Sequence, residues 1–298
     1  MGPPLREYKF VNSQPARALL VFGSIFFAYS LHAGAQNDAH PVLPDAPSFS
    51  NSASDGSPQS GTSNQPATAS RPSESGGIVV RSVKRFARDQ GEIYSAPFHP
   101  ANIKWDALLV AGTAGLMAVD RQAARAVPTH VPANISRDLS NVGLIGTSVS
   151  VGTIWIYGLK TGDEHARETG ELTLESLANT FTVYTLMQFA SGRERPTEGT
   201  GNGRFWIHNG FNSSFPAGHP MFTWAMASVV AHEYPKPWVQ WLAYGAAATV
   251  SAGRFNARMH YPSDILVGST LGYLIGTHIF HSHCKAGLSE SCHPKHPR

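Results

Sequence analysis

The sequence is short of charge, of cysteine and of strand-like patterns, and each shortage excludes a class of protein. Only 14% of the 298 residues are charged and the net charge is +3, with the basic residues scattered along the chain. Nucleic-acid-binding domains concentrate lysine and arginine in a patch or stripe, so we expect no nucleic-acid partner. No stretch alternates apolar and polar residues as a half-buried strand does, which indicates an all-α fold.

The two cysteines, Cys284 and Cys292, lie near the carboxyl terminus. In an oxidising compartment they can close one small loop. Five histidines lie in the same part of the chain: His278, His281, His283, His293 and His296. Such a composition is also typical of a soft-metal-binding tail. We interpret residues 284–298 as a tail without a function, and we expect no metal ion or other cofactor.

Residues 1–35 have the pattern of a secretory signal. Three basic residues precede the apolar run 18–29, and the small residues 33–35 provide a cleavage pattern. An uncleaved anchor helix is the alternative. In either case we expect an exported protein, periplasmic or membrane-embedded with its site facing the periplasm.

Residues 36–77 are rich in Ser, Pro, Asn, Ala and Gly, which predicts a disordered linker. Residues 78–283 form the predicted domain, a helical bundle of about six core helices. Its apolar segments are Trp105–Val119, Val142–Gly158, Leu172–Ala190, Met221–Ala231, Trp238–Gly253 and Ile265–Phe280. A membrane-spanning helix needs about 17–25 apolar residues and most of these runs are shorter, so buried and spanning helices both stay open.

The stretch from Arg254 to Asp264 joins the last two apolar segments and combines a guanidinium, an imidazole and a carboxylate. Pro262 suits the first turn of a helix, which puts Asp264 at an end where the helix dipole favours an anion. His260 lies four residues before Asp264, so we expect the carboxylate to hold the imidazole in one tautomer. Such an imidazole can act as a nucleophile or proton carrier, and the arginine can bind phosphate.

Two upstream clusters offer related chemistry. Arg193 and Arg195 follow the third apolar segment, and Ala217-Gly218-His219 opens the fourth. Glycine allows a ligand to approach the backbone, and a helix amino terminus attracts oxyanions. The three clusters together provide cationic groups, two imidazoles and a carboxylate at the ends of predicted helices.

In order and spacing these clusters resemble the type 2 phosphatidic acid phosphatases and the related vanadium haloperoxidases. That family carries Lys, six residues and Arg-Pro, then Pro-Ser-Gly-His, then Ser-Arg, five residues, His, three residues and Asp. The matching residues here are Arg195-Pro196, Pro216, Gly218-His219, Arg254, His260 and Asp264. Three positions depart from the pattern, because Gln188, Ala217 and Gly253 replace the Lys and the two Ser residues. The resemblance covers about residues 105–281.

The resemblance implies a metal-independent phosphatase with a phosphohistidine intermediate. His260 is the implied nucleophile, Asp264 holds its ring, and His219 protonates the leaving group. The implied substrate contacts are Arg195, Arg254, Gly218, Ala217, Gln188 and Arg193. Gln188 and Ala217 still offer N–H groups where the family has an ammonium and a hydroxyl.

The expected substrate is a phosphorylated small molecule or lipid, such as a phosphomonoester or pyrophosphate of the envelope, with membrane association. Three alternatives stay open. One is a vanadate-dependent haloperoxidase, because vanadate fits the same anion site. Another is a phosphate-binding pseudoenzyme, which the changes at Gln188 and Ala217 suggest. The third is a structural helical envelope protein. The oligomeric state stays undetermined.

Overall fold

The computed structural model of the protein describes residues 78–128, 132–208 and 212–292. Within these ranges it contains α-helices and no β-strand, which confirms the predicted all-α fold. The predicted signal 1–35, the predicted linker 36–77 and the last six residues of the tail lie outside the described residues.

Seven α-helices make up the described part of the chain. They are α1 (Ile78–Ser95), α2 (Ile103–Ala126), α3 (Ala133–Thr161), α4 (Glu164–Ser191), α5 (Gly218–Glu233), α6 (Pro237–Asn256) and α7 (Pro262–His283), with a 3-10 turn at Ala96–Phe98. Each predicted apolar segment lies inside one of the helices α2 to α7, so the prediction of about six core helices is confirmed. Helix α7 begins at Pro262 as predicted, and α5 begins at Gly218.

Helix α5 lies at the centre of the bundle and contacts α3, α4, α6 and α7. Its side chains are apolar on every face, as expected of a helix without a solvent-exposed side. Met221, Ala225 and Val229 are completely buried. The amino terminus of α5 is therefore surrounded by the ends of its neighbours.

Small residues on α7 let its backbone approach α5 closely. A Cβ atom at Gly268 or Gly272 would come within 3.0 Å of the carbonyl oxygen of Ala217 or Met221, respectively. Real Cβ atoms do not make such contacts, so these positions require glycine. This close packing brings the first turns of α5 and α7 side by side.

Helix α3 is the one helix in the described ranges that is long and apolar enough to cross a membrane. It has 29 residues, and its most apolar stretch has a mean hydropathy of 1.5 with 11% of that stretch buried. Large apolar side chains are also exposed on the neighbouring helices. On α2, α3 and α6 they include Trp105, Leu108, Val110, Ile135, Leu139, Val142, Ile145, Val149, Trp238, Trp241 and Leu242. An exposed apolar surface of this kind marks a contact with lipid or with another protein.

The carboxyl-terminal tail packs onto the bundle as far as Cys292. Cys284 and Cys292 form a disulfide, which is one of the possibilities that the sequence left open. The backbone N–H of Lys285 donates to the carboxylate of Glu168, and Cys292 belongs to the buried apolar core. This part of the tail is therefore ordered structure and not a frayed end.

Candidate active site

Four predicted site residues lie where the ends of α4, α5, α6 and α7 meet. Arg195 follows α4, His219 is the second residue of α5, Arg254 is in the last turn of α6, and His260 precedes α7. The charges of both arginines act on both imidazole rings, and the two rings are close enough to interact. The structure thus brings together four residues from the three motifs that the sequence contains.

A backbone carbonyl fixes the tautomer of His260. Its Nδ1 lies 2.8 Å from the carbonyl oxygen of Ser214. Because a carbonyl can only accept a hydrogen bond, Nδ1 carries the proton and the lone pair is on Nε2. Burial and the charge of Arg195 lower the pKa of His260 well below its ordinary value. The ring is therefore neutral, with Nε2 available as a nucleophile.

The predicted direct contact between His260 and Asp264 is wrong in this structure. The nearest carboxylate oxygen is 4.0 Å from Nδ1 of His260, which is too far for a hydrogen bond. Asp264 instead accepts from the hydroxyl of Ser214 at 2.6 Å and from the backbone N–H of Tyr261 at 2.8 Å. Because Ser214 also holds the ring of His260, Asp264 acts on the imidazole through Ser214.

Arg193 lies inside the protein, so its predicted contact with substrate is also wrong. It is only 3% exposed, and its guanidinium donates to Asp264 and, at 2.8 Å, to Asp120. The rings of Phe205 and Tyr261 lie 4.9 and 4.5 Å from its guanidinium carbon. Burial raises the pKa of Asp264 to about 6, and the charge of Arg193 opposes that rise. Arg193 therefore stabilises the ionised form of Asp264.

His219 and Arg254 share a partner, Asn141 on α3, that sequence reasoning missed. The side-chain oxygen of Asn141 accepts from Arg254 and lies 3.2 Å from Nε2 of His219. A guanidinium can only donate, so the amide oxygen faces both groups and Nε2 of His219 carries its proton. Burial, followed by the charges of Arg254 and Arg195, lowers the pKa of His219 to about 3. This imidazole is therefore neutral and has its donor on Nε2.

The two arginines make the site electropositive. Arg254 is 4% exposed, and burial together with the charge of Arg195 lowers its pKa to about 10. Arg195 is held by the carbonyl oxygens of Met259 and Ser213, each 3.3 Å from a guanidinium nitrogen. Two neighbouring cations that depress the pKa values of both histidines favour the binding of an anion.

The first turn of α5 faces these cations. The amides of Gly218 and His219 are the first two of the helix, where an N–H has no partner one turn earlier in the same helix. A Cβ atom at Gly218 would come within 2.9 Å of the ring of Tyr184, so a larger residue here would displace that ring. Ala217 does not fit its predicted role, because it is buried and its N–H donates to the carbonyl of Asp264 at 3.1 Å.

Gln188 is also directed away from any ligand. It is completely buried, and its side-chain nitrogen donates to the carbonyls of Phe215 and Pro216 at 3.3 and 3.1 Å. Its oxygen accepts from the backbone N–H of Ser213 at 3.0 Å. Both amide protons are used in this way. The prediction that Gln188 donates to phosphate is therefore wrong, and the residue instead holds the segment 213–216 in place.

An open cavity of about 600 Å³ lies beside the first motif. Its lining includes Pro196–Gly201 together with Arg121, Arg125 and Arg258. The loop between α4 and α5 contributes residues 197–201 to this lining. Neither His219 nor His260 lines the cavity. The cavity is a basic surface beside the two histidines. It is not the pocket in which the histidines lie.

Comparison with known proteins agrees with the motif assignment. Residues 172–287 match the family model described as the PAP2 superfamily. This span includes every motif position from Gln188 to Asp264. This segment of the chain is similar to the PAP2 superfamily.

One solved structure resembles the chain. It is the crystal structure of the first transmembrane PAP2 type phosphatidylglycerolphosphate phosphatase from Bacillus subtilis, with 19% sequence identity and a TM-score of 0.41. The match covers 67% of this chain and 92% of that chain. No curated protein matches the sequence.

Proposed function

We propose that the protein is a metal-independent phosphatase of the PAP2 type that works through a phosphohistidine intermediate. One observation carries the proposal: two arginines and two neutral imidazoles meet at the amino terminus of α5, within the PAP2 segment. These groups supply an anion site, a nucleophile and a proton donor without a metal ion.

In the proposed first step, Nε2 of His260 attacks phosphorus and the bond to the leaving oxygen breaks. Binding of the phosphate dianion raises the pKa of His219, so its imidazole carries a second proton in the complex, and the proton on Nε2 passes to the leaving oxygen and leaves the ring neutral. In the second step His219 takes a proton from water, the resulting hydroxide attacks phosphorus, and the bond to Nε2 of His260 breaks. Arg195, Arg254 and the amides at the start of α5 bind the equatorial oxygens, where negative charge develops.

The proposal gives Asp264, Arg193 and Asp120 positioning roles. Asp264 binds the hydroxyl of Ser214, and the carbonyl of Ser214 binds Nδ1 of His260. Once the ring becomes phosphorylated and positively charged, a fixed carboxylate 4.0 Å away stabilises it. Arg193 keeps that carboxylate ionised, and Asp120 compensates the second face of the Arg193 guanidinium.

The proposed substrate is a phosphate ester or pyrophosphate attached to a lipid of the envelope. Exposed apolar side chains on α2, α3 and α6 support membrane association, because their burial in lipid is favourable. The disulfide between Cys284 and Cys292 supports an oxidising compartment and therefore an exported location.

The test is hydrolysis by purified protein, without added metal, of a phosphatidate, a prenyl pyrophosphate and a soluble aryl phosphate. We expect phosphate release that needs His260, with the His260→Ala variant as the control. Vanadate inhibition should be competitive, because vanadate occupies the anion site.

The same preparation distinguishes the two alternative functions. Oxidation of halide with vanadate and peroxide, without phosphate release, would indicate a haloperoxidase. Binding of vanadate without turnover of any substrate would indicate a pseudoenzyme, which the position of Gln188 away from the anion site favours.

A further inference from the structure

A second cluster of ionisable side chains lies at the end of the bundle opposite the histidines. It consists of Asp89 on α1, Glu175 on α4 and His283 at the end of α7. One possible ligand atom from each residue lies within 4.8 Å of the others. Glu175 is in the first half of α4 and His283 is the last residue of α7, whereas the candidate active site is at the other ends of these helices.

Asp89 is buried with half of its carboxylate unsatisfied. The residue is 1% exposed, and its Oδ1 accepts from Nε2 of His283 at 2.7 Å. Its Oδ2 is buried and has no hydrogen-bond partner within the described part of the chain. Burying a polar oxygen without a partner is costly, so a bound ion or water at this atom would be stabilising.

Glu175 presents a second carboxylate to the same place. Arg85 binds its Oε2 and leaves Oε1 on the side of His283, 3.8 Å from Nε2. The cluster therefore contains two carboxylates, one guanidinium and one imidazole. The single guanidinium compensates one of the two negative charges, and it does so at Oε2 of Glu175.

We propose that Asp89, Glu175 and His283 bind a divalent transition-metal ion, with Zn²⁺ the best match. Zinc binds imidazole nitrogen and carboxylate oxygen at about 2.0–2.2 Å, and a site with three protein ligands completes its coordination with water. The candidate ligand atoms lie within 4.8 Å of one another, so binding needs side-chain shifts that bring each atom to its coordination distance from the ion. The side chains of Glu175 and His283 are 19% and 12% exposed, which leaves a route for the ion and its water.

Binding replaces the proton on Nε2 of His283 by the metal, and this proton leaves to solvent. The ion then satisfies Oδ2 of Asp89 and links α1, α4 and α7. The disulfide that begins at Cys284 holds the backbone next to His283, so this ligand is already positioned. The site is separate from the phosphate chemistry, and removing its metal should leave phosphatase activity unchanged.

The test is metal binding by the purified full-length chain. After chelation and dialysis, the protein is titrated with Zn²⁺, bound metal is counted, and the unfolding midpoint is measured with and without the ion. We expect one Zn²⁺ per chain and a higher midpoint. Asp89→Asn and His283→Ala should each weaken binding by at least about 100-fold, since even loss of an outer-shell partner costs about 10–100-fold.

Matched controls separate this site from its neighbours. Glu92→Gln removes a carboxylate from the same helix α1, and a double change of His293 and His296 to Ala removes the last two histidines of the tail. Both variants should bind Zn²⁺ like the wild type. Bound Co²⁺ should show the visible absorption bands of a low-coordinate site, and these should disappear in Asp89→Asn.

Two results would overturn the proposal. One is a wild-type chain that takes up no Zn²⁺, which would make the cluster a network of hydrogen bonds and ion pairs without a metal. The other is binding that survives in Asp89→Asn and His283→Ala but disappears with the tail histidines, which would place the metal in the tail.

Discussion

Asn141 is predicted to control the charge of the anion site, and Asn141→Asp tests this directly. The side-chain oxygen of Asn141 accepts from Arg254 and faces His219. Aspartate has the same shape, so the change adds one negative charge with little effect on packing. A carboxylate at this position competes with phosphate for Arg254. It also raises the pKa of His219, because a nearby anion favours the imidazolium.

The size of the effect follows from the distance to the bound phosphate. Arg254 lies between the two anions, which places them about 6 Å apart, roughly the span of one guanidinium with a hydrogen bond on each side. At an effective dielectric constant of about 20, two unit charges at that distance repel by about 3 kcal/mol. Solvent at the half-buried Asn141 reduces this value, so we expect about 2–3 kcal/mol. Phosphate and vanadate should therefore bind about 30–150-fold more weakly.

The assay is competitive inhibition by phosphate and by vanadate, measured together with kcat/KM for a soluble aryl phosphate. Asn134→Asp is the matched control, because it adds the same charge to an exposed position in the first turn of α3. That variant should change inhibition by less than about threefold. If Asn141→Asp binds vanadate as tightly as the wild type, Asn141 is not beside the anion site and the assignment of Arg254 is wrong.

Three further predictions concern the surrounding network. Asp264→Asn should lower the free energy of unfolding by about 3–5 kcal/mol, because it breaks a buried ion pair with Arg193. Denaturant titration measures this change, and an unchanged unfolding midpoint would contradict the role of that buried pair in stability. Gln188→Leu should lower thermal stability and kcat together. The reason is that the carbonyls of Phe215 and Pro216 and the N–H of Ser213 lose their hydrogen-bond partners. Unchanged kinetics would show that the segment 213–216 does not depend on this amide. Sulfate, which stays a dianion throughout, should bind more tightly as the pH falls from about 8 to about 5. The reason is that a bound dianion raises the pKa of His219 above about 3, so the complex holds a proton that the free protein lacks. A sulfate affinity that does not change with pH, measured by calorimetry, would contradict this coupling between proton binding and sulfate binding.

The sequence predicted the helices well because their apolar runs are long and are separated by glycine and proline. It also identified four residues that the folded chain brings together, since Arg195, His219, Arg254 and His260 occur in short motifs at helix ends. These are local features of the chain. No knowledge of long-range packing was needed to find them.

The partners of these residues were not predictable in the same way. Asn141 and Asp120 come from α3 and α2, and they reach their partners only after the helices pack. In the sequence, Asn141 and Asp120 are each a single polar residue beside an apolar run. Such residues are common in any helical protein, so the pattern did not distinguish these two. Gln188 and Arg193 were misassigned for the related reason that spacing along the chain does not reveal which way a buried side chain points.

Asp264 shows how a short separation along the chain can mislead. Its position four residues after His260 suggested a direct hydrogen bond. The first turn of α7 instead directs the carboxylate to the backbone N–H of Tyr261 and the hydroxyl of Ser214. The position of the Asp264 carboxylate is therefore set by its hydrogen bonds at the amino terminus of α7. The imidazole of His260 is bound by a backbone carbonyl instead.

The most direct test of the proposed mechanism is to trap the phosphorylated enzyme. Wild-type protein is mixed with a ³²P-labelled phosphate ester, quenched with alkali within one turnover, and mapped by mass spectrometry. The mechanism predicts an acid-labile phosphoryl group on His260 that is absent from His260→Ala, which should also show no turnover. Turnover by His260→Ala at the wild-type rate, or a phosphoryl group on another residue in the active wild type, would contradict it.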